Sequence, residues 1–162
     1  MFHAEIDIHE TDKFEFNEPG LLGEKIPVEV SNVTLLGESG DKNEFEEHWG
    51  SISFEKGNYT VEYDQRFGNK DFRVLMDAAY NITLHLPEKY RVTNPLLGTV
   101  STGGSVDEGI NGSIISWEKR KYAEARFYDD LQEKMLLAFG SFWIVLVLIF
   151  LVPYLLTRWR RE

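Results

Sequence analysis

Apolar and polar residues alternate along most of the first 128 positions. Phe2, Ala4, Ile6 and Ile8 fall on one side of an extended chain, and His3, Glu5, Asp7 and His9 on the other. The period of two returns at Phe14 and Phe16, at Ile26, Val28 and Val30, at Ile52 and Phe54, and at Tyr59, Val61 and Tyr63. It continues at Phe72, Val74 and Met76, at Ile82, Leu84 and Leu86, at Ile115 and Trp117, and at Ala123, Ala125 and Phe127. Successive side chains of a strand point to opposite faces, so each run predicts a strand with one dry and one wet face. Pro19-Gly20, Gly57-Asn58, Gly68-Asn69, Gly103-Gly104 and Asn111-Gly112 punctuate the runs as turns. Many short strands at this spacing predict a mainly β, antiparallel β-sandwich-like domain over residues 1–128. Two stretches depart from the alternation: 42–49 (KNEFEEHW), read as a short helix or loop, and 101–113 (STGGSVDEGINGS), read as a long hairpin connection.

The pattern changes at the C-terminus. Residues 135–157 contain no charge, and 136–156 read LLAFGSFWIVLVLIFLVPYLL. At ~1.5 Å per helical residue this stretch spans ~31 Å, close to the hydrocarbon core of a bilayer. A chain of 162 residues has no large interior to bury a helix that is apolar all round. The lipid bilayer is therefore the expected partner of 136–156. Residues 129–135 form a juxtamembrane linker, and the helix is expected to begin as early as Phe127. Within the span, Ala138, Gly140 and Ser141 are a candidate helix-packing patch, or ordinary small residues of a lone helix. Residues 157–162 form a basic tail.

Charge refines this picture. The chain carries 17 Lys and Arg against 27 Asp and Glu. Removing Arg158, Arg160, Arg161 and Glu162 leaves 14 basic and 26 acidic residues, a net −12 before the tail. Such a domain repels anionic lipid surfaces and phosphate backbones, so no nucleic-acid partner is expected. The Arg158, Arg160 and Arg161 cluster favours a cytoplasmic tail and an external N-terminal domain. Lys119, Arg120, Lys121, Arg126 and Lys134 on the other side weigh against it. Asn-x-Ser/Thr acceptors at Asn32, Asn58, Asn81 and Asn111 support the external placement as candidate glycosylation sites; such triplets also suit strand ends. Residues 1–10 (MFHAEIDIHE) show no export-signal pattern, which keeps a cytosol-facing, tail-anchored adaptor as the topological alternative.

Catalytic chemistry is thinly represented, and no catalytic residue, cofactor or metal is expected. The absence of Cys removes disulfides, thiolate metal sites and a cysteine nucleophile. No HExxH, P-loop, dinucleotide or GxSxG motif occurs. His3, Glu5, Asp7 and His9 share one side of a strand and have metal-ligating chemistry, but the same pattern describes a solvated strand face. His3 could also chelate copper or nickel together with a free N-terminal amine. Asp41, Glu44, Glu46 and Glu47 could offer oxygen ligands to calcium, although they lack the loop spacing of a dedicated site. An envelope hydrolase acting through paired carboxylates is a further alternative, since carboxylate separation is invisible in sequence.

Residues 80–104 (YNITLHLPEKYRVTNPLLGTVSTGG), Trp117, Arg126-Phe127-Tyr128 and residues 140–161 (GSFWIVLVLIFLVPYLLTRWRR) resemble an uncharacterised euryarchaeal membrane-protein family. The resemblance implies an exported β-rich domain, one C-terminal span and a short basic tail, and it supplies no activity. Many such sequences begin with an export or lipoprotein-type signal; residues 1–10 show no such pattern, as expected of a mature or truncated form or of a late-inserting C-terminal helix. Inside that stretch, Asn94-Pro95-Leu96-Leu97-Gly98 reads as a turn whose leucines plug the core. Trp49, Tyr122 and Tyr128 are either core aromatics or interface anchors. The expectation is a single-pass protein with an extracytoplasmic binding or assembly domain in an archaeal cell envelope. The protein partner and oligomeric state are open.

Overall fold

The computed structural model of the protein describes residues 1–66, 68, 70–109 and 112–159. It divides into two units, Met1–Tyr128 and Asp129–Glu162.

The first unit is built on four long strands: β1 (Phe2–Glu15), β6 (Ser51–Gln65), β7 (Asp71–Pro87) and β11 (Gly112–Arg126). Shorter strands complete it: β2 (Asn17–Pro19), β3 (Lys25–Pro27), β4 (Val30–Gly37), β5 (Glu46–His48), β8 (Tyr90–Arg91), β9 (Thr99–Val100), β10 (Gly104–Gly109) and β12 (Tyr128–Asp129). The main sheet has the order β10-β11-β7-β1-β6-β4, with β5 on β6 and β9 on β11, and all these pairs are antiparallel. β2 pairs with β3, and β8 with β12.

A straight strand of 15 residues would extend roughly 50 Å. A compact domain of this size has a radius of gyration of only about 14 Å, so the long strands must bend. β1 shifts register between Ile8 and Lys13, and β11 between Trp117 and Tyr122. Glu10 (φ 55°) and Lys119 (φ 49°) take left-handed backbone at these bulges. The Glu10 N–H donates to Asn58 Oδ1 at 3.0 Å, and the Lys119 N–H to Asn81 Oδ1 at 3.1 Å. Each bend is thus held by an asparagine side chain of a neighbouring strand.

Bending divides the buried positions of each long strand into two runs. Phe2, Ala4, Ile6 and Ile8 precede the bend in β1, and Phe14 follows it; in β7 the runs are Phe72, Val74 and Met76, then Ile82, Leu84 and Leu86. The first half of β1 pairs with the second halves of β6 and β7, and the second half of β7 with the first half of β11. The remaining halves form a second layer. Across the two layers Phe2 meets Phe72 edge-on at 5.2 Å, Phe16 meets Tyr63 at 5.1 Å, and Trp117 lies 6.1 Å from Phe72. The expected β-sandwich-like packing is therefore present, with the core between two halves of one sheet folded over itself.

Several local expectations are corrected. Residues 42–49 form no helix; they hold the isolated bridge from Leu36 to Lys42 and the edge strand β5. The 101–113 stretch is not simply a connection, because β10 lies within it and pairs with β11 from Gly104–Trp117 to Gly109–Gly112. The run Ile26, Val28, Val30 is not one half-buried strand, since β3 ends at Pro27 and Ile26 is exposed. In the Asn94–Gly98 turn, Leu96 is 78% exposed rather than a core plug. Gly98 is required there, because a Cβ would lie 2.2 Å from the Val92 carbonyl oxygen. Tyr128 is buried, Trp49 is 87% exposed, and Tyr122 stands at the surface with its hydroxyl bonded to Glu124.

The second unit is helix α1 (Asp130–Trp159). It starts three residues later than the expected Phe127, because Tyr128–Asp129 remain extended. The Gln132 N–H donates to Asp129 Oδ1 at 3.0 Å, and the Asp129 N–H donates to Gln132 Oε1 at 3.2 Å, a reciprocal capping box. Asp130 and Glu133 place negative charge in the first turn, where the helix dipole favours it. Asp130–Tyr154 is long and apolar enough to cross a membrane, and its large apolar side chains, Leu137, Phe142 and Phe150 among them, are exposed.

Candidate functional site

With Phe2, Ala4, Ile6 and Ile8 directed into the core, strand geometry turns His3, Glu5 and Asp7 to the outer face of the sheet. The neighbours of β1 decide what they meet. On β6, His3 is opposite Asp64, Glu5 opposite Glu62, and Asp7 opposite Thr60. On β7, His3 is opposite His85, Glu5 opposite Thr83, and Asp7 opposite Asn81. Three central strands thus bring His3 and His85 together with Glu5, Glu62 and Asp64 on one half-exposed surface, with Asp7 beside them.

His3 Nδ1 lies 3.0 Å from Asp64 Oδ1, and His3 Nε2 lies 3.8 Å from Glu5 Oε1. His85 Nε2 is 2.8 Å from the same Glu5 oxygen. That nitrogen is shielded from solvent yet is not aligned for a hydrogen bond. The two imidazole rings are 5.8 Å apart and tilted by 51°. His3, Glu5 and Glu62 are the one group of His, Asp or Glu side chains, among the described residues, whose potential ligand atoms all fall within 4.8 Å of one another. Asp64 is held below the usual carboxylate range, first by the hydrogen bond from Asn32 and then by that from His3, against the opposing effect of burial. Asn32 itself sits at φ 53°, where β4 shifts register, and its Nδ2 donates to Asp64 Oδ2 at 2.7 Å.

The structure rearranges the set His3, Glu5, Asp7 and His9. His3 and Glu5 stay in the cluster. Asp7 accepts a hydrogen bond from Thr60 at 2.9 Å, and His9 precedes the Glu10 bulge and is exposed. Glu62, Asp64 and His85, which sequence reading did not select, replace them. Their only local signal was wet-face position in alternating runs; the partnership is a matter of register between strands far apart in sequence. A copper or nickel chelate at the N-terminus would need the backbone amides of Phe2 and His3, which lie within β1, and the Nδ1 already bonded to Asp64.

Asp41, Glu44, Glu46 and Glu47 do not converge. Asp41 accepts from Ser39 at 2.7 Å within its turn, and Glu46 and Glu47 are successive residues of β5 on opposite faces. Among the acceptor asparagines, Asn32 bonds Asp64, Asn81 caps the Lys119 bulge, and Asn58 caps the Glu10 bulge while donating to Glu38 Oε1 at 2.9 Å. Asn111 lies outside the described residues, as do Arg160 and Arg161, and Arg158 falls in the last turns of α1. Along α1, Ala138 and Ser141 are three residues apart and share a side, whereas Gly140 is turned about 160° from Ala138. The Ser141 hydroxyl donates to the Leu137 carbonyl at 2.8 Å, within its own helix. No protein-family model, curated protein or solved structure matches this chain.

Proposed function

We propose that the protein is a single-pass membrane protein whose β domain serves as a non-catalytic binding or assembly module on the outer side of an archaeal cell envelope. In this reading the Arg158, Arg160 and Arg161 tail lies in the cytoplasm. The observation that carries the membrane part is α1, with its long stretch of exposed apolar side chains, in a chain whose β unit already has a complete core. Side chains of this kind are stable only when covered by lipid or by other apolar helices. The arginine cluster and the resemblance to exported euryarchaeal proteins support the outward placement. Binding is favoured over catalysis because the conspicuous polar cluster stands on an open sheet face, whereas catalysis profits from an enclosed site that excludes water.

The test is protease accessibility in spheroplasts, probing both ends of the full chain. Digestion of residues 1–128 with the tail protected supports the proposal. Protection of the β domain overturns it in favour of a cytosolic, tail-anchored adaptor. Release of the protein into the soluble fraction at intact length overturns the anchor itself.

A further inference from the structure

We propose that His3, His85, Glu5 and Glu62 form a binding site for a divalent transition-metal ion of the zinc class, with Asp64 as the carboxylate that orients His3. The proposal concerns the outer face of the β domain and holds on either side of a membrane.

The ligand chemistry comes first. Two imidazole nitrogens and two carboxylate oxygens suit Zn²⁺ and neighbouring first-row ions, whereas Ca²⁺ and Mg²⁺ prefer oxygen donors alone. Ionised Glu5, Glu62 and Asp64 make the cluster anionic when both imidazoles are neutral, the state in which His ligates metal. The hydrogen bond from His3 Nδ1–H to Asp64 leaves the lone pair on Nε2, which faces Glu5. A carboxylate gripping the far nitrogen of a ligating imidazole is the usual support of such a site. Asp64 is in turn held by Asn32, so the supporting shell extends to a residue of β4.

A second feature is the contact between His85 Nε2 and Glu5 Oε1, 2.8 Å apart, shielded and not aligned as a hydrogen bond. With its proton on Nδ1, a neutral His85 turns a lone pair toward this oxygen, and a cation shared by the two atoms relieves that contact; with its proton on Nε2 it is a misaligned donor that a metal would replace. The distances also permit closure. Bonds of 2.0–2.1 Å in a tetrahedral site put ligand atoms about 3.3 Å apart. The present spread of up to 4.8 Å among His3, Glu5 and Glu62 therefore requires a contraction of about 1.5 Å, and His85, which touches Glu5 but stands outside that group, must turn further toward His3. Changes of rotamer in the half-exposed Glu5, Glu62, His3 and His85 provide it, while the backbone stays pinned in the central strands. A bound ion would link β1, β6 and β7.

The chain has four histidines, and His9 and His48 lie outside the cluster, which supplies internal controls. The experiment uses the full chain in nonionic detergent, carrying no polyhistidine tag and stripped with a chelator. Zn²⁺ is titrated by calorimetry, and thermal unfolding is followed with and without Zn²⁺. The expected result is one Zn²⁺ per chain, with a melting temperature raised by about 10 °C at hundredfold excess over Kd. His3→Gln, His85→Gln and Glu5→Gln should each weaken binding at least tenfold, and Asp64→Asn by about 10-fold or more. His9→Gln and His48→Gln should leave it within twofold. In the unsubstituted protein, Zn²⁺ should protect His3 and His85, and neither His9 nor His48, from diethylpyrocarbonate. This arm stands even if a variant fails to fold. The proposal is overturned by no saturable binding below about 1 mM, by binding that survives the cluster substitutions, or by protection of all four histidines alike.

Discussion

Ser101 joins the two halves of β11 through one oxygen. Its Oγ accepts from Trp117 Nε1–H and from the Glu124 backbone N–H, each at 3.0 Å, on either side of the bend. Trp117 is 0% exposed. Ser101→Ala leaves the indole N–H without an acceptor inside the domain, at a cost of about 1–3 kcal/mol. The Glu124 N–H is only partly covered and reaches water, adding about 0.5 kcal/mol. The expected destabilisation is therefore about 1.5–3.5 kcal/mol. With an unfolding entropy of ~2.1 cal/mol/K per residue, Tm falls by about 6–13 °C for the 128-residue unit. Trp117→Phe shrinks the core side chain but also removes the stranded donor. In that background, Ser101→Ala should cost only about 0.5 kcal/mol, a coupling of about 1–3 kcal/mol between the two sites. Urea unfolding of the full chain in micelles, followed by far-UV circular dichroism, measures all four corners of this cycle. A Ser101→Ala effect below about 0.5 kcal/mol, or strict additivity of the two substitutions, would refute the assignment of Ser101 as the shared acceptor.

Three other expectations follow from single contacts. Asn81→Ala and Asn58→Ala should each destabilise by about 0.5–1.5 kcal/mol by freeing the bulge amides of Lys119 and Glu10; Asn81→Asp keeps the acceptor and should restore most of the loss while blocking any glycan, which separates the two roles by thermal melting. Gly112→Ala should cost more than about 2 kcal/mol, because Gly112 has φ 131° and an added Cβ would lie 2.0 Å from the Leu86 carbonyl oxygen; Gly109→Ala, whose Cβ would meet only the Gly112 carbonyl oxygen at 3.5 Å, serves as the tolerated control. Asp64, depressed below its ordinary value of 3.8 mainly by Asn32, contributes stability that is present at neutral pH and lost as pH falls through its folded pKa; Asp64→Asn should flatten the acid limb of the stability curve below about pH 5, measured by urea midpoints from pH 2 to 7 without metal.

The strands were legible because the pattern that specifies them is local. Ile82, Leu84 and Leu86 alternate with Thr83 and His85, and no other part of the chain is needed to see one dry face. Residues 42–49 misled because glutamate-rich spacing fits a helix as well as an edge strand, and pairing with β6 settles the matter for Glu46–His48. The 101–113 stretch misled because Gly and Ser signal turns, yet β11 supplies a partner along Gly104–Gly109. Asn58 and Asn81 show the same limit. As sequence they are triplets for modification; in the fold each completes a bulge whose other half lies 48 and 38 residues away, respectively.

By itself, the sequence determined which residues of the four long strands face a core, where the apolar helix begins to dominate, and the excess of acid over base in the β domain. These depend on hydrophobic periodicity, on unbroken apolar length and on composition, all properties of neighbouring residues or of sums. Only the tertiary structure decided that β1 lies between β6 and β7, and hence that His3 meets Asp64 and His85 while Glu5 meets Glu62. Strand order and register are set by burying all the dry faces at once. A one-residue slip would turn every side chain of a strand over, so the cluster on the wet face is a consequence of how the core closes.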